Sequence, residues 1–370
     1  MKKQSLMGLI GVTFATMMLC SVFLSGCGFF GDGDDNNIYY QPGEHPFTVS
    51  APYVISLGNI IKWDACKNAD EYLIFQDNVK ILTTSETQIE IEDTSIDHTY
   101  TVIARNIKSN VESEESNIAL VSKSFGFDQN EILELDPQNI GTYYTISPSI
   151  RKVVCKSNEP IVVDSNFIIH DRKYDLFFEL ENITLSSMEQ AVITTQDGTY
   201  SRADQNWNLI FAVSGECGVK GKDQTFVPAQ PADNTEKRGS NGISGTDAII
   251  APTVVVRGSG EFTVSGGNGG AGGRGANSTT WATSFYGDGG NGGVGGDGIV
   301  TQFFVLQMES NGIVYVNKGI GGTRGAPGIN GSILTGPWST ADYNEHYGTS
   351  GKDGTALRGL VITLGGTLYD

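Results

Sequence analysis

The sequence predicts an all-β chain: a small sandwich, then a coiled solenoid of parallel strands interrupted by Gly-x-x excursions. Three observations predict it. Short apolar runs alternate with polar residues at period two and end in Gly, Asn or Asp turns. The 48 glycines are about 13% of 370 residues, against ~7% in an average protein. Of these, 37 fall at or after Gly215, in triplets that leave one apolar strand and return to another. A wholly collagenous chain is excluded, because it needs about one-third glycine.

The N-terminus reads as an address. Lys2 and Lys3, an apolar stretch from Leu6 to Leu24, and Leu24-Ser25-Gly26-Cys27 follow the order of a secretory signal. The last four residues resemble the bacterial lipobox. That resemblance implies a signal peptide over residues 1–26, diacylation of Cys27, and an exported protein held at the cell membrane and facing outward. Loss of Lys2 and Lys3 takes the formal net charge from -18 to -20. With 42 Asp and Glu against 24 Lys and Arg, no nucleic-acid partner is expected, since phosphate binding needs clustered cations. Residues 27–45, with Asp32, Asp34, Asp35, Asn36 and Asn37, read as an acidic tether. Past the signal, Cys66, Cys155 and Cys217 remain, an odd number without metal-ligand spacing. Cys155 and Cys217 can be a pair or two buried small hydrophobes.

Residues 46–123 carry candidate strands at 59–63, 71–76, 79–82, 87–91, 98–104 and 117–121, separated by polar or Gly turns. Trp63 ends one strand, Tyr72 begins the next, and Tyr100, Val102 and Ala104 share one face of a later one. With Asn117, these residues resemble a fibronectin type III module, which implies a seven-stranded sandwich used as a spacer and without functional residues. His98, at a strand start, reads as a solvated turn residue.

Residues 124–370 hold the repeat. The first excursion goes out through Gly215, Gly218 and Gly221 and returns through Gly239, Gly242 and Gly245. The second goes out from Gly266 to Gly275 and returns from Gly289 to Gly298; the third goes out from Gly319 to Gly331 and returns from Gly348 to Gly354. Outbound starts are thus 51 and 53 residues apart, a regularity foreign to a linker. Between them lie strand-like runs such as Leu176 to Leu185, Leu209 to Val213, Val254 to Val256 and Ile299 to Leu306. These runs resemble rungs of a right-handed parallel β-helix. Glycine at every third residue matches the three-residue turn of an extended helix whose neighbours approach closely only without a Cβ. The six tracts resemble the polyglycine-II-like bundles of phage-tail adhesins and glycine-rich antifreeze proteins; the other reading is flexible loops on a β-helix.

Out-and-back excursions bring their connecting loops to one distal end. The first loop carries Phe226, the second Trp281, Phe285 and Tyr286, and the third Trp338, Tyr343, His346 and Tyr347. Rigid aromatic side chains on scaffolded loops suit recognition of a polysaccharide or a surface protein; the same rings can instead cap the bundle. Trp281, Phe285, Tyr286, Trp338, Tyr343 and Tyr347 are the candidate ligand-binding residues.

Signatures of chemistry are sparse. Gly267 to Gly272 fits G-x-G-x-x-G within a glycine tract that no helix follows. Residues 292–300 fit one copy of a calcium nonapeptide, which works in stacked copies. No G-x-S-x-G, H-E-x-x-H or Cys/His catalytic spacing occurs. No cofactor, metal or catalytic residue is expected, and the primary reading is a non-enzymatic adhesion or binding module. The rival is a β-helix polysaccharide lyase or hydrolase, with Asp171, Asp175, Glu179 and Glu181 as carboxylates; an ice-binding protein comes third.

Overall fold

The protein is a computed structural model that describes residues 48–92, 94–198, 200, 206–224, 238–275, 288–327 and 347–370. Cys27, the signal and the tether lie outside them. Apart from one turn of 3-10 helix at Gln129–Glu131, the described secondary structure is β.

The first module has two antiparallel sheets. Val54–Leu57, Ile60–Trp63 and Gln88–Glu90 form one; Val79–Thr84, Glu71–Gln76, His98–Asn106, Val111–Glu112 and Ala119–Val121 form the other. Val54–Leu57 and Val111–Glu112 escaped the sequence reading. Alternation works as expected in His98–Asn106, where Tyr100, Val102 and Ala104 are buried. Trp63 meets Tyr72 edge to face at 5.4 Å, and the Tyr72 hydroxyl accepts the Cys66 N–H at 2.9 Å. Asn117 pins Val54 from both sides: its Oδ1 accepts the Val54 N–H at 2.7 Å and its Nδ2 donates to the Val54 carbonyl at 2.8 Å. His98 is covered rather than solvated, its Nδ1 lying 2.6 Å from Asp77 with 11% of its side chain exposed.

From Ile132 the chain coils as a parallel β-helix with three faces. Ile132–Leu135, residues 152–155, Leu176–Ser186 through its first half, Leu209–Ser214, Thr253–Gly258, residues 303–308 and Leu357–Gly365 stack as the first face. The second runs through residues 161–164 and 184–186, Glu216–Lys220, Glu261–Ser265, Ile313–Asn317 and Thr367–Tyr369. The third runs through Tyr143–Ile146, Asn166–Ile169, Ile193–Thr195, Ile249–Ile250 and residues 299–300. Each coil buries its inward side chains on the next. Phe167, Phe178, Phe211 and Phe262 form a ladder inside, with centroids 5.3, 5.6 and 4.9 Å apart. Cys155 and Cys217 are buried free thiols. Burial, with Asp136 and Cys217 nearby, pushes the Cys155 thiol up to about 11.

The corner between the first and second faces needs left-handed backbone, supplied by Asn182 at φ 54°, Gly215 at φ 69° and Gly258 at φ 118° in successive coils. This corrects the first excursion. Gly215 is a corner and Gly218 lies within the Glu216–Lys220 strand, so the outbound tract begins at Gly221. Outbound starts are then 45 and 53 residues apart.

Residues 48–370 belong to one compact unit, and the sandwich is docked on the β-helix. Along the first face Phe177, Ile210, Val255 and Val305 stand in register and point outward, where they pack with Leu57 of the sandwich. That second burial explains why these strands read as unbroken apolar runs. Beside this contact Arg151, 5% exposed, holds Asp97 through a fork of 2.9 and 2.7 Å, and Lys123 meets Glu131 at 2.8 Å. Burial pushes the Asp97 and Glu131 carboxyls up, but bonds and charges from Arg151 and Lys123 outweigh it and hold both below their usual values.

The sign follows. Carboxyls lowered in the folded state stabilise it above the unfolded pKa of about 4, and that contribution is lost as pH falls through the folded values. The melting temperature should therefore drop below about pH 4 in the native chain. Asp97→Asn should lower the neutral-pH value and flatten the acid limb in thermal scans; a variant with the native profile would exclude this account of the junction.

Candidate functional site

The three excursions leave the β-helix at one corner, between the second and third faces. The chain departs after Lys220, Ser265 and Asn317 and re-enters at Ile249, Ile299 and Leu357. In earlier coils the same corner is short, from Asp164 to Asn166 and from Ser186 to Ile193. Three consecutive coils are thus interrupted at one place, and their tracts emerge stacked as the coils are.

Outside the coils the tracts bond to one another, backbone to backbone. Gly267, Gly270 and Gly273 donate to Thr246, Ile243 and Ser240 of the first return; Gly290, Gly293 and Gly296 donate to Gly273, Gly270 and Gly267; Gly319, Gly322 and Gly325 donate to Gly296, Gly293 and Gly290. Gly348, Gly351 and Gly354 close the set on Gly325, Gly322 and Gly319, all twelve bonds lying between 2.7 and 3.2 Å. One bond per three residues toward a given neighbour leaves the other amides for other neighbours. Gly292, Gly295 and Gly298 accordingly donate sideways to Thr349, Lys352 and Thr355.

The number of glycines per triplet follows the number of packed sides. The outer returns, 239–246 and 348–355, read Gly-x-x. The inner tracts, 266–275 and 289–298, read Gly-Gly-x. In 289–298, a Cβ on Gly290, Gly293 or Gly296 would overlap the carbonyls of Ser240, Ile243 and Thr246, whereas one on Gly289, Gly292 or Gly295 would overlap those of Gly325, Gly322 and Gly319. These glycines are required by close approach, not by positive φ.

The remaining positions carry a second ladder. The Oδ1 atoms of Asn241 and Asn291 accept the N–H groups of Asn291 and Thr349, both at 2.9 Å; Asp247 and Asp297 do the same for Asp297 and Thr355, both at 2.6 Å. Asp223 and Asn268 form a third row onto Asn268 and Ile320, both at 2.8 Å. Where the bundle meets the coils, Arg358 Nε lies 2.8 Å from Asp297. Burial pushes the Asp247 carboxyl up; the Asp297 N–H opposes this, the Asp297 charge adds to it, and Arg358 opposes it.

Gly273 bonds Ser240, Gly290 bonds Gly273, Gly275 bonds Ala326 and Gly348 bonds Gly325. The connecting segments, residues 225–237, 276–287 and 328–346, lie outside the described residues, and with them Trp281, Phe285, Tyr286, Trp338 and Tyr343. Tyr347 is described: its ring lies under the Arg324 guanidinium at 4.5 Å, at the distal end of the third tract pair. Tyr347 is thus packed on the bundle by a cation–π contact.

The carboxylates of the rival reading are dispersed in role. Asp175 is buried and accepts two bonds of 2.9 Å from Asn208. Glu179 is gripped by Lys152 and Lys156, which hold it below its usual value against the upward push of burial. Asp171 is exposed and Glu181 half-buried. Among the described residues no group of His, Cys, Asp and Glu is arranged to hold a metal ion.

No protein-family model matches the chain, and no curated protein matches it. Among solved structures, "FN3tt mut" is similar over 20% of this chain and 98% of its own, at 21% identity and a TM-score of 0.17. The family 28 exopolygalacturonase of Yersinia enterocolitica is similar over 74% of this chain and 75% of its own, at 9% identity and a TM-score of 0.22.

Two outcomes test the bundle. Gly293→Val should lower hydrogen-exchange protection of the Gly293, Gly322 and Gly351 amides about tenfold or more, at roughly 1 kcal/mol per lost bond, and leave Leu209–Ser214 protected. Val294→Thr, at a position 45% exposed, should change neither; equal loss in both variants would refute the packing. Asp247 has its pKa raised on folding, so its ionisation weakens the fold as pH rises from about 4 through the folded value. Asp247→Asn keeps the Oδ1 acceptor without the charge and should melt a few degrees higher at pH 7; a lower melting point would contradict this reading.

Proposed function

We propose that the chain is a non-enzymatic surface lipoprotein, anchored through Cys27 and facing outward, that displays a recognition tip on a glycine stalk. The observation that carries this reading is the common corner of the three excursions, whose tracts bond to one another along their length. Such a bundle is stiff because each tract is fixed by its neighbours, and it has polyglycine-II character, with three residues per turn and ~3.1 Å per residue. On this reading the residues that meet a glycan or a surface protein are Trp281, Phe285, Tyr286, Trp338, Tyr343 and Tyr347, whose rings suit such recognition. The contact of the Tyr347 ring with Arg324, next to the Gly348–Gly325 bond, supports it. Hydrolysis or lyase chemistry is less well supported, because Asp175 and Glu179 are engaged in structural bonds.

Two experiments test the proposal. Glycan-array or cell binding should fall at least about tenfold in Trp281→Ala/Trp338→Ala, the scale of losing central aromatic anchors; unchanged binding removes the tip from the proposal. Cys27→Ser should move the protein from the membrane fraction to the soluble or secreted one, and persistence at the membrane would rule out the lipid anchor.

A further inference from the structure

Where the sandwich meets the first face of the β-helix there is an open cleft of about 470 Å³, within the usual range of small-ligand sites, which favour domain junctions. Its apolar wall is Ile60, Ile89, Met308 and Leu364; its polar groups are Asn59, Gln88, Glu90, Gln307 and Arg257. The two modules fix these groups jointly. Gln307 Nε2 donates to Asn59 Oδ1 at 3.2 Å, and Asn59 Nδ2 donates to Glu90 Oε1 at 3.1 Å. Asn59 Nδ2 also donates to the Ile91 carbonyl at 3.3 Å, so what this junction leaves to the cleft is the second Nε2 hydrogen and the Oε1 of Gln307 and the remaining lone pair of Asn59 Oδ1.

Arg257 is the unusual member. Arg151 forks onto Asp97, and Arg172 donates to the carbonyls of Ile150, Ile146 and Ser147. The Arg257 guanidinium instead lies over the Phe177 ring at 5.1 Å, with no hydrogen bond or ion pair to another described residue. Burial holds its pKa below the ordinary value, while Asp175 and Glu179 pull it back only through space. A planar fork lacking a partner, at the wall of a cleft, is suited to a carboxylate.

We propose that this cleft binds a small hydroxylated carboxylic acid, a single sugar-acid residue. Arg257 takes the carboxylate; Asn59, Gln88, Gln307 and Glu90 take the hydroxyls; Met308, Ile60, Ile89 and Leu364 cover the ring carbons. Glu90 disfavours compact multivalent anions such as phosphate and accepts from hydroxyl donors. The site is independent of the distal tip.

The test is ligand-observed NMR and calorimetry on the full chain with D-glucuronate, D-galacturonate, D-glucose and inorganic phosphate as probes. Either uronate should bind with a dissociation constant of about 1 mM or tighter, with glucose and phosphate at least about tenfold weaker. Arg257→Gln should weaken the uronate at least about tenfold. Gln88→Trp, on an exposed strand, should block the cleft and abolish binding, and it decides the matter if Arg257→Gln fails to fold. Trp281→Ala/Trp338→Ala should bind the uronate as the native chain does. Absence of binding by both uronates, equal binding of glucose, retained affinity in a folded Arg257→Gln or in Gln88→Trp, or loss in the tryptophan double variant would each overturn the assignment.

Discussion

Everything distal in this molecule depends on how closely two peptide backbones can approach. A tract residue whose N–H reaches a neighbouring carbonyl at 2.7–2.8 Å, as Gly293 does to Gly270 and Gly322 does to Gly293, leaves no room for a Cβ on its packed side. Side-chain burial contributes little there, so cohesion comes from backbone hydrogen bonds, each worth about 1 kcal/mol net. Glycine also carries the largest conformational entropy to be lost on ordering. Isolated tracts of this kind would stay unfolded. The bundle forms because both ends of each excursion are held by coils that are already ordered, and because every inner tract bonds to several neighbours.

The β-helix supplies those fixed ends. Its coils repeat through backbone pairing and an inward ladder of Phe167, Phe178, Phe211 and Phe262, so successive excursion points are separated by one coil. The tracts then meet already aligned. The Asn and Asp rows reinforce the register: a tract shifted by one residue would present glycine or a different side chain to the N–H groups that Asn241, Asn291, Asp247 and Asp297 now satisfy. Glycine sets the spacing and the carboxamide or carboxylate oxygens set the phase.

Much of this was legible in the sequence. Triplet periodicity gave the out-and-back tracts, and period-two alternation gave most strands of both modules. The Gly-Gly-x against Gly-x-x distinction was present but unread; it separates tracts packed on two sides from those packed on one. Gly215, Gly218 and Gly221 fall three apart and look like one tract, yet their reasons differ. The first needs positive φ, the second sits in a strand where a Cβ would meet the Thr263 carbonyl, and only the third belongs to the bundle. Spacing cannot separate causes that all select glycine. The docked sandwich was likewise hidden, because an unbroken run such as Leu176-Phe177-Phe178 announces burial on both sides of a strand without saying what covers the outer one.

That outer cover gives the molecule its division of labour. The sandwich occupies the outward side of the first face, through Leu57 on Phe177, Ile210, Val255 and Val305, while the excursions leave from the corner between the other two faces. The sandwich and the excursions therefore use different parts of the coil. Docking also changes what the sandwich is. A spacer joined by a linker would let the solenoid swing, whereas a module fixed by a buried Arg151–Asp97 fork and an apolar patch transmits its orientation. Because Asp97 and Glu131 are held ionised by Arg151 and Lys123, that docking is electrostatically committed at neutral pH.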